Sequence, residues 1–216
     1  MKTERQRKIC WAVIFLIAFV IWTVLVRFVD VQGIGPHGSK VGFATINGAV
    51  RNLIGVNWAL YTVTDWLGLV PLIFVAGFGI LGLVQWIKRK SFIKVDRSLL
   101  VLGGLYMFVM GLFLFLEKCV VNYRPVLVDG ILEASYPSST TLLTMCVVPT
   151  AISQLKNRII NQTLKRFVVL VLVLFAAFMV IGRLLSGVHW LSDIIGGALL
   201  SIGLIFLHEA IIKKNV

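Results

Sequence analysis

Charge is scarce in this sequence. Only 14% of its 216 residues are Asp, Glu, Lys or Arg, while 59% are hydrophobic, which excludes an ordinary water-soluble globular domain. No polar stretch is long enough to build a second domain beside the apolar one. Cysteine is sparse too: Cys10, Cys119 and Cys146 lie far apart in apolar surroundings. They form no CxxC pair and no metal-ligand spacing, so they read as small buried hydrophobes. Carboxylates nowhere cluster in a way that would cradle Mg²⁺. Internal repeats and low-complexity tracts are lacking. The basic start Met1–Lys8 and the apolar run behind it mimic a signal peptide. No small-residue cleavage site follows, however, and the run is long enough to span, so a retained first helix is expected.

What the sequence has in quantity is long apolar runs. Crossing a bilayer takes about 17–25 such residues, and runs of this kind fall at roughly 9–28, 58–87, 98–121, 140–155, 167–185 and 193–212. The fourth is short and contains Pro149, which predicts a tilted or kinked segment. The stretch 30–57 is Gly-rich, carries Pro36 and is too broken to span. It reads as an external loop with a short interfacial helix around Gly42–Leu53. The expected fold is therefore all-α: one polytopic membrane domain over 1–216, with six transmembrane helices and both termini cytoplasmic.

Basic residues set the orientation. With the N-terminus inside, Lys2, Arg5, Arg7 and Lys8 fall on the inner face. So do Lys88, Arg89, Lys90, Lys94 and Arg97, then Lys156, Arg158, Lys165, Arg166, Lys213 and Lys214. Of the 21 Lys and Arg, only Arg27, Lys40, Arg51, Lys118, Arg124 and Arg183 are left outside. That asymmetry follows the positive-inside rule. It also accounts for the +12 net charge without nucleic acid.

The outer face carries the chemistry. Glu117, Lys118 and Arg124-Pro125 close the third span. Tyr136-Pro137-Ser138-Ser139-Thr140 opens the fourth. Arg183 ends the fifth, and His189 and Asp193 open the sixth. Charged groups at such depth are expensive and usually functional. On a helix, His189 and Asp193 would share a face, so the carboxylate takes the imidazole N–H and leaves the other nitrogen as nucleophile or base. Arg124, Arg183 and Lys118 suit a phosphoryl group. Ser138, Ser139 and Thr140 stand at a helix start, where N–H groups and hydroxyls make an anion site. Together they describe phosphoryl transfer through a phosphohistidine. Tyr123, Tyr136 and Trp190 read as belt aromatics, His37 as a loop residue, and His208 and Glu209 as interfacial. Asp65 is expected either to line the site or to bond a neighbouring helix.

In these motifs the chain resembles the type 2 phosphatidic acid phosphatase (PAP2) superfamily of membrane phosphatases. That family's signature is K-x6-R-P, then P-S-G-H, then S-R-x5-H-x3-D. Arg124-Pro125, Pro137-Ser138 and the series Arg183, His189, Asp193 match it in order, with Gly182 where the family has Ser. The resemblance implies His189 as nucleophile and Asp193 as its orienter. Arg124, Arg183, Ser138, Ser139 and Lys118 would hold phosphate, with Thr140 and Tyr136 as accessory residues and no metal or cofactor. It further implies a multi-pass protein of a prokaryotic plasma membrane acting on the extracytoplasmic face. The implied partners are the bilayer and a lipid phosphate, with no nucleic acid, and a homo-oligomer is compatible.

Two departures bear on activity. Lys118 is six positions before Arg124, about 240° of helix rotation, and Glu117 holds the family's lysine position. Where the family has Gly-His, this chain has Ser139-Thr140. The histidine that protonates the leaving group is missing, a loss worth about 10²–10⁴-fold. A phosphate leaving from a pyrophosphate, with a pKa of about 6, needs that proton less than an alkoxide does. A lipid pyrophosphate such as undecaprenyl pyrophosphate is thus the expected substrate, ahead of phosphatidic acid. The alternatives are a lipid phosphotransferase, a catalytically degenerate phospholipid-binding protein, or an anion channel or transporter.

Overall fold

The computed structural model describes residues 4–212. Lys2, Lys213 and Lys214, assigned above to the inner face, lie outside the described residues, as do the ends of the chain. Among the described residues eight α-helices follow one another: α1 (Glu4–Phe28), α2 (Ala44–Ile54), α3 (Trp58–Leu67), α4 (Leu69–Arg89), α5 (Arg97–Lys118), α6 (Ser139–Lys156), α7 (Gln162–Leu185) and α8 (Leu191–Ile212). Among the described residues, extended pairing is limited to isolated bridges in two loops.

Among the described residues five helical segments are long and apolar enough to cross a membrane: α1, α3 with α4, α5, α7 and α8. Their outward faces are large and apolar, for example Ile17 and Val20 on α1, Ile80 on α4, Phe115 on α5 and Leu174 on α7. Such faces are stable only where the solvent is itself hydrocarbon. The run expected at 140–155 corresponds to α6, which has 18 residues, holds Pro149 and is rich in Ser and Thr. It packs against α4, α5, α7 and α8 and buries ten of its residues. A helix covered by protein need not be apolar all round, so its weak hydropathy follows from its central place.

Close packing elsewhere rests on missing side chains. A Cβ on Gly203 of α8 would come within 2.9 Å of Leu16, so glycine lets α1 lie directly on α8. Gly196 seats the Tyr136 ring and Gly197 the start of α6. Helix starts are capped as their residues predict: Asn57 accepts the Leu60 N–H at 2.9 Å, and Asn161 that of Leu164 at 3.0 Å.

The loops separate into two ends. At one, Arg27 donates to the Val120 carbonyl (3.2 Å), the Gly42 N–H to Asn122 Oδ1 (3.2 Å) and the Asn57 N–H to the Ser186 carbonyl (3.0 Å). At the other, Arg158 lies 3.8 Å from Asp96, and Arg97 donates to the Ile211 carbonyl (3.2 Å). Segments 29–57, 119–138 and 186–190 therefore converge on the end that carries Arg124, Ser138, His189 and Asp193.

Candidate active site

Between α5 and α6 the chain makes a hairpin-like loop. Asp129 (φ 49°) and Gly130 (φ 77°) form its turn, the left-handed pair that an Asp-Gly tight turn requires. Tyr123 faces Ala134 across it. The Arg124 N–H donates to the Glu133 carbonyl (3.0 Å), and the Ser135 N–H to that of Asn122 (2.9 Å). Residues two apart on such a ladder share a face, and opposite residues share it too. Asn122, Arg124, Glu133 and Ser135 consequently project together, toward the turn between α7 and α8.

That turn carries His189. Gly187 permits it: φ is +69°, and a Cβ there would come within 1.9 Å of the Gly55 carbonyl oxygen. His189 precedes α8, so the helical spacing that suggested a direct pair with Asp193 does not hold. Nδ1 is 3.7 Å from Asp193 Oδ2, too long for a hydrogen bond. Ser135 stands between them. Its Oγ is 3.1 Å from Nδ1 and donates to Asp193 Oδ2 at 2.5 Å. Because that hydroxyl proton points at the carboxylate, its oxygen accepts from Nδ1–H, and Nε2 carries the lone pair. Asp193, fully buried, also accepts the Trp190 N–H at 2.9 Å, closing the first turn of α8 as a capping-box carboxylate does. Asn122 reaches its other oxygen at 3.5 Å.

Nε2 faces Arg124, whose Nη1 is 3.5 Å away. The same guanidinium meets Glu133 through Nε at 2.9 Å. His189 is 4% exposed. Burial first, then the charges of Arg124 and Arg183, hold its imidazole well below its ordinary pKa. The ring is thus neutral and its Nε2 free to attack. Arg183, 1% exposed, is held by α3. Its Nη2 is 3.4 Å from Asp65, Nη1 donates to Thr64 at 3.4 Å, and the guanidinium lies 4.8 Å over the Tyr61 ring. Asp65 therefore binds a neighbouring helix. Gly182, where the family has Ser, lets α7 approach Thr64, which a Cβ would meet at 2.9 Å.

A cavity of about 430 Å³ opens beside His189, Arg124, Ser135 and Ser139. Lys118 is exposed and is not on its wall; Glu117 is. The one-residue shift turned the lysine away, as the 240° rotation requires. Ser138 is likewise off the wall. Its hydroxyl caps α6, accepting from the Thr141 hydroxyl at 3.1 Å, while its N–H donates to the Asp193 carbonyl at 3.1 Å. With the Leu142 N–H also taken, by the Ser138 carbonyl, the open donors of this helix start are the N–H groups of Ser139 and Thr140. The Thr140 side chain does not reach the cavity wall. Tyr136 lines the cavity, but its hydroxyl is taken by Thr23 (2.7 Å) and its ring is buried and stacked on Phe19. Trp190 is buried rather than a belt residue and donates to the Tyr123 carbonyl at 2.7 Å. His208 is buried as well. Among the described residues no three His, Cys, Asp or Glu side chains gather as metal ligands.

An all-helical membrane bundle that buries a histidine, its carboxylate and two arginines at one end defines a class of integral membrane protein. The PAP2 superfamily model matches residues 12–216, and the chain belongs to that superfamily. A crystal structure of a transmembrane PAP2-type phosphatidylglycerolphosphate phosphatase from Bacillus subtilis is similar to it over 94% of this chain and 98% of that one. The TM-score is 0.62 at 21% identity, a likeness of fold. No curated protein matches the sequence.

Proposed function

We propose that this chain is a lipid phosphatase working through a phosphohistidine at His189, and that 1–216 forms a single transmembrane catalytic domain. The observation that carries this is the Nε2 of a buried, neutral His189, 3.5 Å from Arg124 at the mouth of a cavity. Its Nδ1 is fixed through Ser135 to Asp193. Attack by Nε2 on phosphorus leaves the imidazole cationic, and Ser135 and Asp193 stabilise that charge. Arg124 and the Ser139 N–H at the start of α6 hold the phosphoryl oxygens. Arg183, braced by Asp65, adds positive charge that is felt at His189. Lys118 and the Ser138 side chain have no part in this arrangement.

The preferred substrate is a lipid pyrophosphate such as undecaprenyl pyrophosphate, because Thr140 replaces the leaving-group acid and a departing phosphate needs a proton least. The similar Bacillus subtilis protein is a phosphatidylglycerolphosphate phosphatase, which makes that monoester the comparison to run. The reading takes six spans with both ends cytoplasmic, with the cavity on the extracytoplasmic face of a plasma membrane. The asymmetry of Lys and Arg supports this.

The test is phosphate release by the purified protein in detergent with EDTA present, from undecaprenyl pyrophosphate, phosphatidylglycerolphosphate and phosphatidic acid. The pyrophosphate should turn over fastest, and His189→Ala should abolish release. Faster turnover of a monoester would sink the leaving-group argument. A requirement for added metal, or activity surviving in His189→Ala, would sink the mechanism.

A further inference from the structure

The family's leaving-group histidine is absent, and a carboxyl also engaged by Arg124 replaces it only in part, so the preference for a pyrophosphate stands beside a weaker proton carrier in the cavity. We propose that Glu133 is the general acid of this site, an assignment that rests on the phosphatase reading above. The hairpin register sets Glu133 directly opposite Arg124. Its carboxylate lies 2.9 Å from Arg124 Nε, while the other end of the same guanidinium lies 3.5 Å from His189 Nε2. One planar cation therefore spans the nucleophile and a carboxylate, and all three line one cavity. A phosphoryl group held on that cation has Nε2 to one side and Glu133 to the other. In-line displacement needs this order, with the leaving oxygen opposite the attacking atom.

Glu133 neutralises Arg124 through this ion pair. An arriving phosphate takes over the guanidinium donors and frees the carboxylate beside the substrate, which takes one proton from solvent water as the substrate enters. His189 Nε2 then attacks phosphorus and the bond to the leaving oxygen breaks. That oxygen takes the Glu133 proton, so the lipid departs with its own O–H. In the second half, Glu133 carboxylate accepts a proton from water as the water oxygen attacks phosphorus. The N–P bond breaks, its electron pair returns to Nε2, inorganic phosphate leaves and Glu133 is again protonated. Glu117 lines the same cavity from the end of α5, but the carboxylate tied to Arg124 is that of Glu133.

Glu133→Gln is isosteric and its side chain is 41% exposed, so the variant should fold. The full-length protein, Glu133→Gln, Glu133→Asp and Glu117→Gln would be compared on phosphatidic acid and undecaprenyl pyrophosphate across pH. In Glu133→Gln, kcat on phosphatidic acid should fall about 10²-fold or more. The pyrophosphate should lose less, widening the ratio between substrates about tenfold. The basic limb of the kcat–pH profile on phosphatidic acid should vanish, and Glu133→Asp should keep it at reduced rate. Equal losses on both substrates with an unchanged profile would overturn the proposal, since Glu133 would then only position Arg124. A selective loss in Glu117→Gln instead would also overturn it. His189-dependent turnover in the wild type separates these results from failure of the phosphatase reading, which would show as turnover indifferent to His189→Ala.

Discussion

A histidine can attack phosphorus only while its imidazole is unprotonated, and His189 is surrounded by what keeps it so. Burial, Arg124 and Arg183 all lower its proton affinity. Because the pKa is lowered, the neutral form persists below the ordinary value of 6.5. The acidic limb of kcat/KM should lie below that pH, and Arg124→Gln should move it upward. A pH–rate series checks both. By linkage, an unfolded chain binds a proton here below about pH 6.5 that the folded one refuses, so this site costs stability as pH falls through that range. Ser135→Ala removes the acceptor of Nδ1–H and one donor to Asp193. It should lower kcat about 10–100-fold, as loss of a hydrogen bond to a charged group does, with an altered pH profile and little change in KM. That Arg124, Arg183, His189 and Asp193 gather at one end of the bundle was legible from order and spacing along the chain. Ser135 and Glu133 were not, because nothing local couples them to His189. Only the hairpin turned by Asp129-Gly130 does so, and that dipeptide, lying between the first two motifs, was the signal available.

At the scale of elements, the site is assembled from pieces whose chain spacing says little about their contacts. The α7–α8 turn is seated on the segment before α3 through Gly187. Gly187→Ala combines a left-handed backbone with collision against the Gly55 carbonyl. It should cost at least about 1–3 kcal/mol, seen as a lowered thermal midpoint in detergent together with lost turnover. A variant that unfolded at the wild-type temperature would show that this turn relaxes freely. Hydropathy located the membrane-crossing helices because lipid contact demands apolar faces all round. It described α6 poorly because α6 touches protein on most sides and can keep its hydroxyls, several bonded to backbone, as Thr150 is to Cys146 at 2.8 Å.

For the whole molecule, the arrangement of loops makes topology testable. Lys40, in the loop between α1 and α2, and Lys94, between α4 and α5, are both exposed and belong to opposite ends of the bundle. In a background without the three native thiols, a membrane-impermeant thiol reagent applied to intact cells should label Lys40→Cys and spare Lys94→Cys. The reverse pattern would put the cavity on the cytoplasmic face. By itself the sequence determined that this chain lives in a bilayer, which ends of its helices carry the charged motifs, and which family those motifs resemble. Those properties follow from composition, run length and short motifs, all of them local in the chain. The tertiary structure alone decided that His189 precedes α8, that Ser135 joins it to Asp193, and that Glu133 shares Arg124. These are contacts between segments tens of residues apart, set by a hairpin register and by helices meeting at glycine, and no local pattern encodes them.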